Sequence, residues 1–502
     1  MRVLLVRPPV PRHTMGLKHI MICEPLELEY VAAGLNGHEV EIIDLIVEGG
    51  YEKRLRRFKP DVVGTSCYIT GVNEVKKICR AAKRWNPNCK TIVGGVHASK
   101  APADFADHSV DCIVTGDGTS IMPELMDAFV HHKPLAGIAG LALPTSETEV
   151  VLTPQRPYMP KADELPFPRR DLVAHLRKKY YYLFHQPVTT MKTTWGCWYK
   201  CNFCFTWRIT DGAQYSRSPE SIADELETIE SEEVYIVDDI FLINPGRLER
   251  LAKILRERGI RKKYLIYARA DFISEHEEIV AEWAELGLSA VIIGLEAVTD
   301  PELDSMNKEC SVDYNRRAIA ILRKHGVDTY GSLITQPDYT PMEWERLQRF
   351  IDENGLYYLN ISPLTPLPGT VIWDMYKDKI VVDRDAHGLW DLSHTVLPTR
   401  MNLKDYYRSL LGVYVRSCLS ISRAGKLTLG TRPPVWSFKY LRLWLGAFQI
   451  MMQFRGAHRH HTSREIERAK DKGRAVAGLN SFSSTTAAAS ETETIYQIAK
   501  SA

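Results

Sequence analysis

The sequence predicts an α/β protein made of two series of parallel strand–helix units followed by a mainly helical region. Three observations predict it: short apolar runs alternate with helical stretches up to about residue 145, the alternation restarts near residue 187, and it gives way to helical periodicity from about 375. At 502 residues the chain is too long for one ordinary core. Its composition, 45% hydrophobic and 25% charged, is that of a globular enzyme. A formal net charge of +2 excludes a protein held to nucleic acid by bulk electrostatics. The opening MRVLLV reads as a buried strand, without the apolar core and cleavage site of a signal peptide, so a cytoplasmic chain is expected. In that compartment its ten cysteines should be reduced thiols or metal ligands.

The first series covers residues 1–145. Strands are expected at Val3–Val6, Glu39–Ile43, Val62–Thr65, Thr91–Val93 and Cys112–Val114, with helices at Pro25–Leu35 and Val72–Trp85 between them. This alternation predicts a doubly wound, Rossmann-like sheet whose ligand sits outside the carboxyl ends of the strands. Those ends carry Ser66-Cys67-Tyr68, Gly94-Gly95-Val96-His97 and Thr115-Gly116-Asp117-Gly118. Glycine there lets a bulky ligand approach the backbone. His97 could contact such a ligand or only hydrogen-bond its own loop, and a nucleotide or flavin would suit so generic a sheet as well.

Residues 146–186 are Pro-rich and read as a linker. The second series, 187–375, has expected strands at Val188–Thr193, Val234–Val237, Leu265–Ala268, Ala290–Gly294, Thr329–Ile334 and Tyr358–Ile361. Six strand–helix units predict a partial (β/α)6 barrel. Helical stretches such as Leu403–Ser420 mark a C-terminal region over 376–475. Within it, 435–454 is apolar and aromatic but interrupted by Lys439 and Arg442, and 455–474 holds seven Lys/Arg against three Asp/Glu. The end, 476–502, is low-complexity and expected to be disordered.

Cys197, Cys201 and Cys204 lie in TWGCWYKCNFCF, directly after the first strand of the second series. Three thiolates so spaced can hold three irons of a cubane cluster and leave the fourth open for a chelating substrate. Structural zinc is the competing reading, but it wants a fourth Cys or His, and none follows within twenty positions.

A CxxxCxxC loop with Phe203 before its last cysteine, at the end of a barrel's first strand, resembles the radical S-adenosylmethionine (SAM) enzymes. The likeness extends to Arg217-Ser218-Pro219-Glu220-Ser221, Val237-Asp238-Asp239-Ile240-Phe241, Arg269, Gly294-Leu295-Glu296 and Thr365-Pro366-Leu367-Pro368-Gly369-Thr370. It implies that the three cysteines ligate a [4Fe-4S] cluster and that Phe203, Asp238, Arg269 and Glu296 contact SAM; the alternatives are that Asp238 or Asp239 only caps the next helix or braces the loop, and that Arg269 and Glu296 form an internal ion pair capping strand ends. A doubly wound domain ahead of such a barrel resembles the cobalamin-binding branch of the superfamily. Glu24-Pro25-Leu26-Glu27-Leu28-Glu29-Tyr30 and the glycine-bearing strand ends carry that resemblance. It implies cobalamin contacts from Ser66, Tyr68, Gly94, Gly95, His97, Gly116, Asp117 and Gly118. The Asp-x-His-x-x-Gly motif of cobalamin mutases is absent, so cobalt is expected without a His ligand from that loop.

The resemblance implies an enzyme in which a SAM-derived radical takes hydrogen from carbon and methylcobalamin supplies a methyl group. The opening segment, the length and the basic C-terminal region are similar to the hopanoid C-3 methylase subfamily. That implies a hopanoid lipid as substrate, a reducing partner such as flavodoxin or ferredoxin, no nucleic acid, and peripheral contact at the inner membrane face. A ring cyclase of the bacteriochlorophyll type, and a non-catalytic iron–sulfur sensor or electron carrier, are the other readings.

Overall fold

The computed structural model of the protein describes residues 1–12, 14, 15, 20–157, 161–418 and 438–476. The tail 476–502 falls outside the described residues but for Val476.

The N-terminal unit is a seven-stranded sheet: β1 Arg2–Arg7, β2 Glu39–Asp44, β3 Val62–Ser66, β4 Lys90–Gly94, β5 Cys112–Val114, β6 Leu141–Pro144 and β7 Val150–Leu152. Their order in space is 2-1-3-4-5-6-7, with the first five parallel and the last two antiparallel. Val3, Leu4, Leu5 and Val6 are all buried, because a central parallel strand is covered by helices on both faces. Helix Val72–Trp85 buries Val72, Val75, Ile78, Cys79 and Ala82, the stripe expected of a helix laid on a sheet. The strand order reverses between β1 and β3, so the ligand crevice of this fold opens where Arg7-Pro8-Pro9 and Ser66-Cys67-Tyr68 leave the sheet.

The expected linker is more ordered than its proline content suggests. Residues 146–186 contribute β7 to the sheet and a 3-10 helix, Arg170–Lys179, which buries Val173 and Leu176. Helix Leu26–Ala33 begins beside a clasp between the units. Glu24 accepts from the backbone and hydroxyl of Thr190 at 2.6 and 3.1 Å and pairs with Arg177.

The barrel has six parallel strands in sequential order: β8 Val188–Met191, β9 Glu233–Ile236, β10 Lys263–Ala268, β11 Leu288–Glu296, β12 Asp328–Thr335 and β13 Tyr358–Pro363. All six expected strands are present. The C-terminal region covers the open edge. Helix Leu403–Cys418 packs along β13, and the Tyr414 hydroxyl accepts from Ile361 N at 2.8 Å and donates to Ile361 O at 3.0 Å. Those are the backbone groups a further strand would have paired. Helix Phe438–Gly456 lies outside that one, with Phe454 stacked on Tyr414.

Candidate cluster and cofactor site

The site is assembled where the barrel strands end. After β8 the chain passes Thr193 and Thr194, turns at Gly196 and enters the cysteine loop. Gly196 has φ +85°, and a Cβ there would lie 2.3 Å from Ala213 O, so only glycine fits. Cys197 and Cys201 are buried and Cys204 partly so. The loop is docked on the turn after β11. Asn202 N donates to Met306 O at 2.9 Å, and Asn307 donates through its side chain to Lys200 O at 2.9 Å.

Burial raises all three thiols, Cys197 to about 12. They would be protonated at neutral pH unless a bound cation drew them to the thiolate form. Cationic groups stand beside them: Arg269 Nη1 is 3.9 Å from Cys201 Sγ. Among the described residues one group brings three ligand atoms within 4.8 Å of one another, and it is not the cysteine triplet. Sulfurs that do not converge on one point suit a cluster, in which each binds a different iron, better than a single ion. The donor set therefore fits a cubane with one free corner.

Asp238 and Asp239 follow β9 and diverge. Asp238 is fully buried with both oxygens taken by Thr193 and Thr194, so it braces the entry to the cysteine loop. Its hydrogen bonds are those of a residue bracing the loop. Asp239 accepts from Gly196 N at 3.0 Å and holds the turn itself.

Arg269, at the end of β10, is buried against the Tyr199 ring at 3.5 Å and donates to Lys308 O and Glu309 O at 2.7 and 3.0 Å. Glu296 ends β11 after a register slip against β12, with φ +60°. Its Oε1 accepts from Lys308 Nζ at 2.9 Å, and Lys308 stands 6.0 Å from the Phe203 ring. Phe203, Arg269 and Glu296 are thus gathered around Lys308, which sequence reasoning missed. A lone lysine twelve positions beyond Glu296 carries no signal in one sequence. Asn307 and Glu309, flanking Lys308, have φ +50° and +52°. Three non-glycine residues in this conformation around one ion pair mark backbone strain of the kind kept at functional sites.

Tyr68 is 67% exposed and follows β3 at the β1/β3 crevice. Gly95 has φ +104°, and a Cβ there would lie 2.8 Å from both Cys67 O and Ser66 Oγ, so the loops after β3 and β4 touch. Ser66, Tyr68, Gly94 and Gly95 therefore lie together. Gly116, Asp117 and Gly118 form the next loop, where Asp117 caps helix Gly118–Val130 by accepting from Thr119 N and Ser120 N. His97 is buried and paired with Asp104 at 2.8 Å.

The B12 binding domain family matches residues 13–126, and the radical SAM superfamily matches residues 191–351. The hopanoid C-3 methylase of Methylococcus capsulatus is 30% identical over 419 residues, which span 82% of this chain and 79% of that one. The anaerobic magnesium-protoporphyrin IX monomethyl ester cyclase of Rubrivivax gelatinosus is 24% identical over 76% of this chain and 71% of that one. Among solved structures, the cobalamin-dependent SAM radical enzyme OxsB superposes with a TM-score of 0.68 at 16% identity, covering 90% of this chain and 72% of that one. The methyltransferase TsrM from Kitasatospora setae superposes at 0.65 with 17% identity, covering 95% and 99%. Fold and site together are those of a radical SAM enzyme fused to a B12-binding domain. The chain belongs to the family of cobalamin-dependent radical SAM methyltransferases, whose cofactors are cobalamin, SAM and a [4Fe-4S] cluster.

Proposed function

We propose that this chain transfers a methyl group to an unactivated sp3 carbon of a lipid, C-3 of a hopanoid. The observation that carries the lipid reading is the match to the hopanoid C-3 methylase, which spans 82% of this chain. A saturated ring carbon has no acidic proton, which suits a homolytic route. When bound, the cofactors supply hydrogen abstraction and a transferable methyl group.

The chain's own residues hold and screen that chemistry. Cys197, Cys201 and Cys204 would bind three irons, with Arg269 and Lys308 offsetting the negative charge of the thiolates. Glu296 and Lys308, with Phe203 beside them, form the wall against which SAM's amino acid or ribose end would rest. Ser66, Tyr68, Gly94 and Gly95, together at the strand ends of the N-terminal sheet, would line the corrin. A reductant is required, and flavodoxin or ferredoxin would serve.

A second observation favours a lipid. Leu441, Leu445, Phe448 and Met452, spaced to fall on one side of helix Phe438–Gly456, are each about half exposed. Such a stripe beside the basic run 455–474 suits shallow contact with an anionic lipid surface. Among the described residues no helix is long and apolar enough to cross a membrane.

The test is turnover by anaerobically reconstituted protein given SAM, a reductant, cobalamin and a hopanoid lacking the ring methyl. Methyl transfer from isotopically labelled SAM onto ring A supports the reading. Conversion of a magnesium-porphyrin ester in its place would replace it with the cyclase reading.

A further inference from the structure

One buried cluster has no part in the reading above. His97 follows β4 in the short helix Val96–Lys100, Asp104 lies in the next turn, and His387 sits in the segment after the barrel, almost 300 positions on. His97 Nε2 is 2.8 Å from Asp104 Oδ2, and His387 Nε2 is 3.7 Å from the same oxygen. Ligand atoms from all three lie within 4.8 Å of one another. We propose that His97, Asp104 and His387 form a site for a single divalent ion of the zinc class, which fastens the segment after the barrel to the cobalamin-binding sheet.

Three features carry this. First, His387 is 7% exposed and neither of its ring nitrogens has a hydrogen-bond partner. A buried imidazole with no partner is uncommon, and its Nε2 is turned toward the other two donors. Second, the donor types agree with the ion. Two neutral imidazoles and one carboxylate suit zinc, whereas magnesium and calcium want oxygen throughout. Third, the spacing is close to what one ion needs. Zinc–donor bonds of about 2.0–2.1 Å place tetrahedral ligand atoms about 3.3 Å apart, so imidazole shifts of about an ångström bring all three onto one centre. The Arg384 guanidinium, 3.7 Å from Asp104 Oδ1, is 86% exposed and leaves Oδ2 to the ion. The fourth position would be held by water on that open side.

The place of the site gives it a purpose. The turn carrying His387 is otherwise tied to the N-terminal unit by Thr14 Oγ1 donating to Gly388 O at 3.2 Å, Asn73 Nδ2 to Asp385 O at 3.2 Å, Met15 N to Asp391 Oδ2 at 2.6 Å and the solvent-exposed Arg384 beside Asp104. Helix Val96–Lys100 starts immediately after Gly94-Gly95. An ion here would fix that loop and the post-barrel segment together without touching the reacting centre.

The experiment uses full-length protein already carrying its cluster and cobalamin, so that the cysteine loop cannot take up zinc. After incubation with zinc sulfate and passage over chelating resin, zinc, iron and cobalt are counted together by mass spectrometry. We expect about one zinc per chain, and a zinc absorption edge showing only nitrogen and oxygen at about 2.0–2.1 Å with no sulfur at about 2.3 Å. His387→Gln and Asp104→Asn should each lower zinc at least tenfold while iron and cobalt stay constant. Zinc should raise the melting temperature of the wild type but not of the variants. Negligible zinc in the wild type, equal zinc in the variants or sulfur in its shell overturns the proposal and leaves a hydrogen-bonded latch. Should the variants fail to fold, the wild-type count and absorption edge decide.

Discussion

Lys308 and Glu296 form a buried ion pair, 2.9 Å from Nζ to Oε1, at the point where β11 ends and the cysteine loop docks. Burial is the largest influence and lowers the Lys308 ammonium, but the charge and hydrogen bond of Glu296 together with Cys201 carry the net displacement upward. Lys308→Met would leave a carboxylate buried without its counter-charge and should cost about 3–5 kcal/mol of stability. Glu296→Gln keeps an acceptor for Lys308, so the fold should survive while KM for SAM rises about tenfold, a loss of about 1.4 kcal/mol of binding. Thermal melts and SAM titration of 5′-deoxyadenosine formation separate the two. Equal KM in wild type and Glu296→Gln would remove Glu296 from the SAM site.

Gly196 sets the direction of the cysteine loop. Gly196→Ala would set a Cβ 2.3 Å from Ala213 O in a backbone conformation that L residues rarely adopt. The expected result is protein with native circular dichroism, iron content reduced severalfold and no SAM cleavage. Full iron loading would show that the turn tolerates a side chain.

His461 makes the C-terminal helices sensitive to acid. Burial pushes its imidazole down to about 3, with His394 and His460 opposing its charge further, and Nε2 faces the Tyr407 hydroxyl at 3.2 Å. The unfolded chain protonates this group near 6.5, so between about 6.5 and 3 the unfolded state binds the extra proton and stability falls as pH falls. The slope from this one group is at most about 1.4 kcal/mol per pH unit. Urea melts at pH 7 and pH 5 should show the loss, and His461→Gln should flatten the profile. An unchanged profile in that variant would assign the acid sensitivity elsewhere.

The outward stripe of helix Phe438–Gly456 tests the lipid contact without disturbing the core. Leu445→Ser with Phe448→Ser should change stability little, since exposed substitutions usually lie within about 0.5 kcal/mol each. Methyl transfer to hopanoid in anionic vesicles should fall several-fold, with uncoupled SAM cleavage unaltered. Equal rates in vesicles would leave the stripe without a role in substrate access.

The strands were legible because a parallel core demands continuous apolar runs, and VLLV, VVGT and VIIG are such runs. The cysteine triplet stood out by its spacing, and Arg269 and Glu296 by their place at the ends of barrel strands. Pairs distant in sequence did not. Lys308 looks like any surface lysine, and nothing in one sequence joins Asp104 to His387. The linker reading of 146–186 passed over β7 because Val150–Leu152 is a three-residue edge strand with two exposed positions. Arg442 interrupts the apolar run in sequence, and in the fold its guanidinium lies 3.6 Å over the Tyr181 ring and donates to Leu183 O at 2.6 Å, so the charge points inward and the apolar stripe outward. Asp238, read as a cofactor contact, sits beside Asp239 in the same motif, and only the fold shows which of them turns inward.

The central claim is that three sulfur ligands leave one iron open to SAM. Mössbauer and electron paramagnetic resonance spectra of anaerobically reconstituted protein, with and without SAM, test it most directly. The account predicts a [4Fe-4S] cluster with one distinct iron whose signal changes on SAM addition, and loss of that cluster in Cys197→Ala, Cys201→Ala and Cys204→Ala. A cluster indifferent to SAM, or one that persists when any of the three cysteines is replaced, would contradict it.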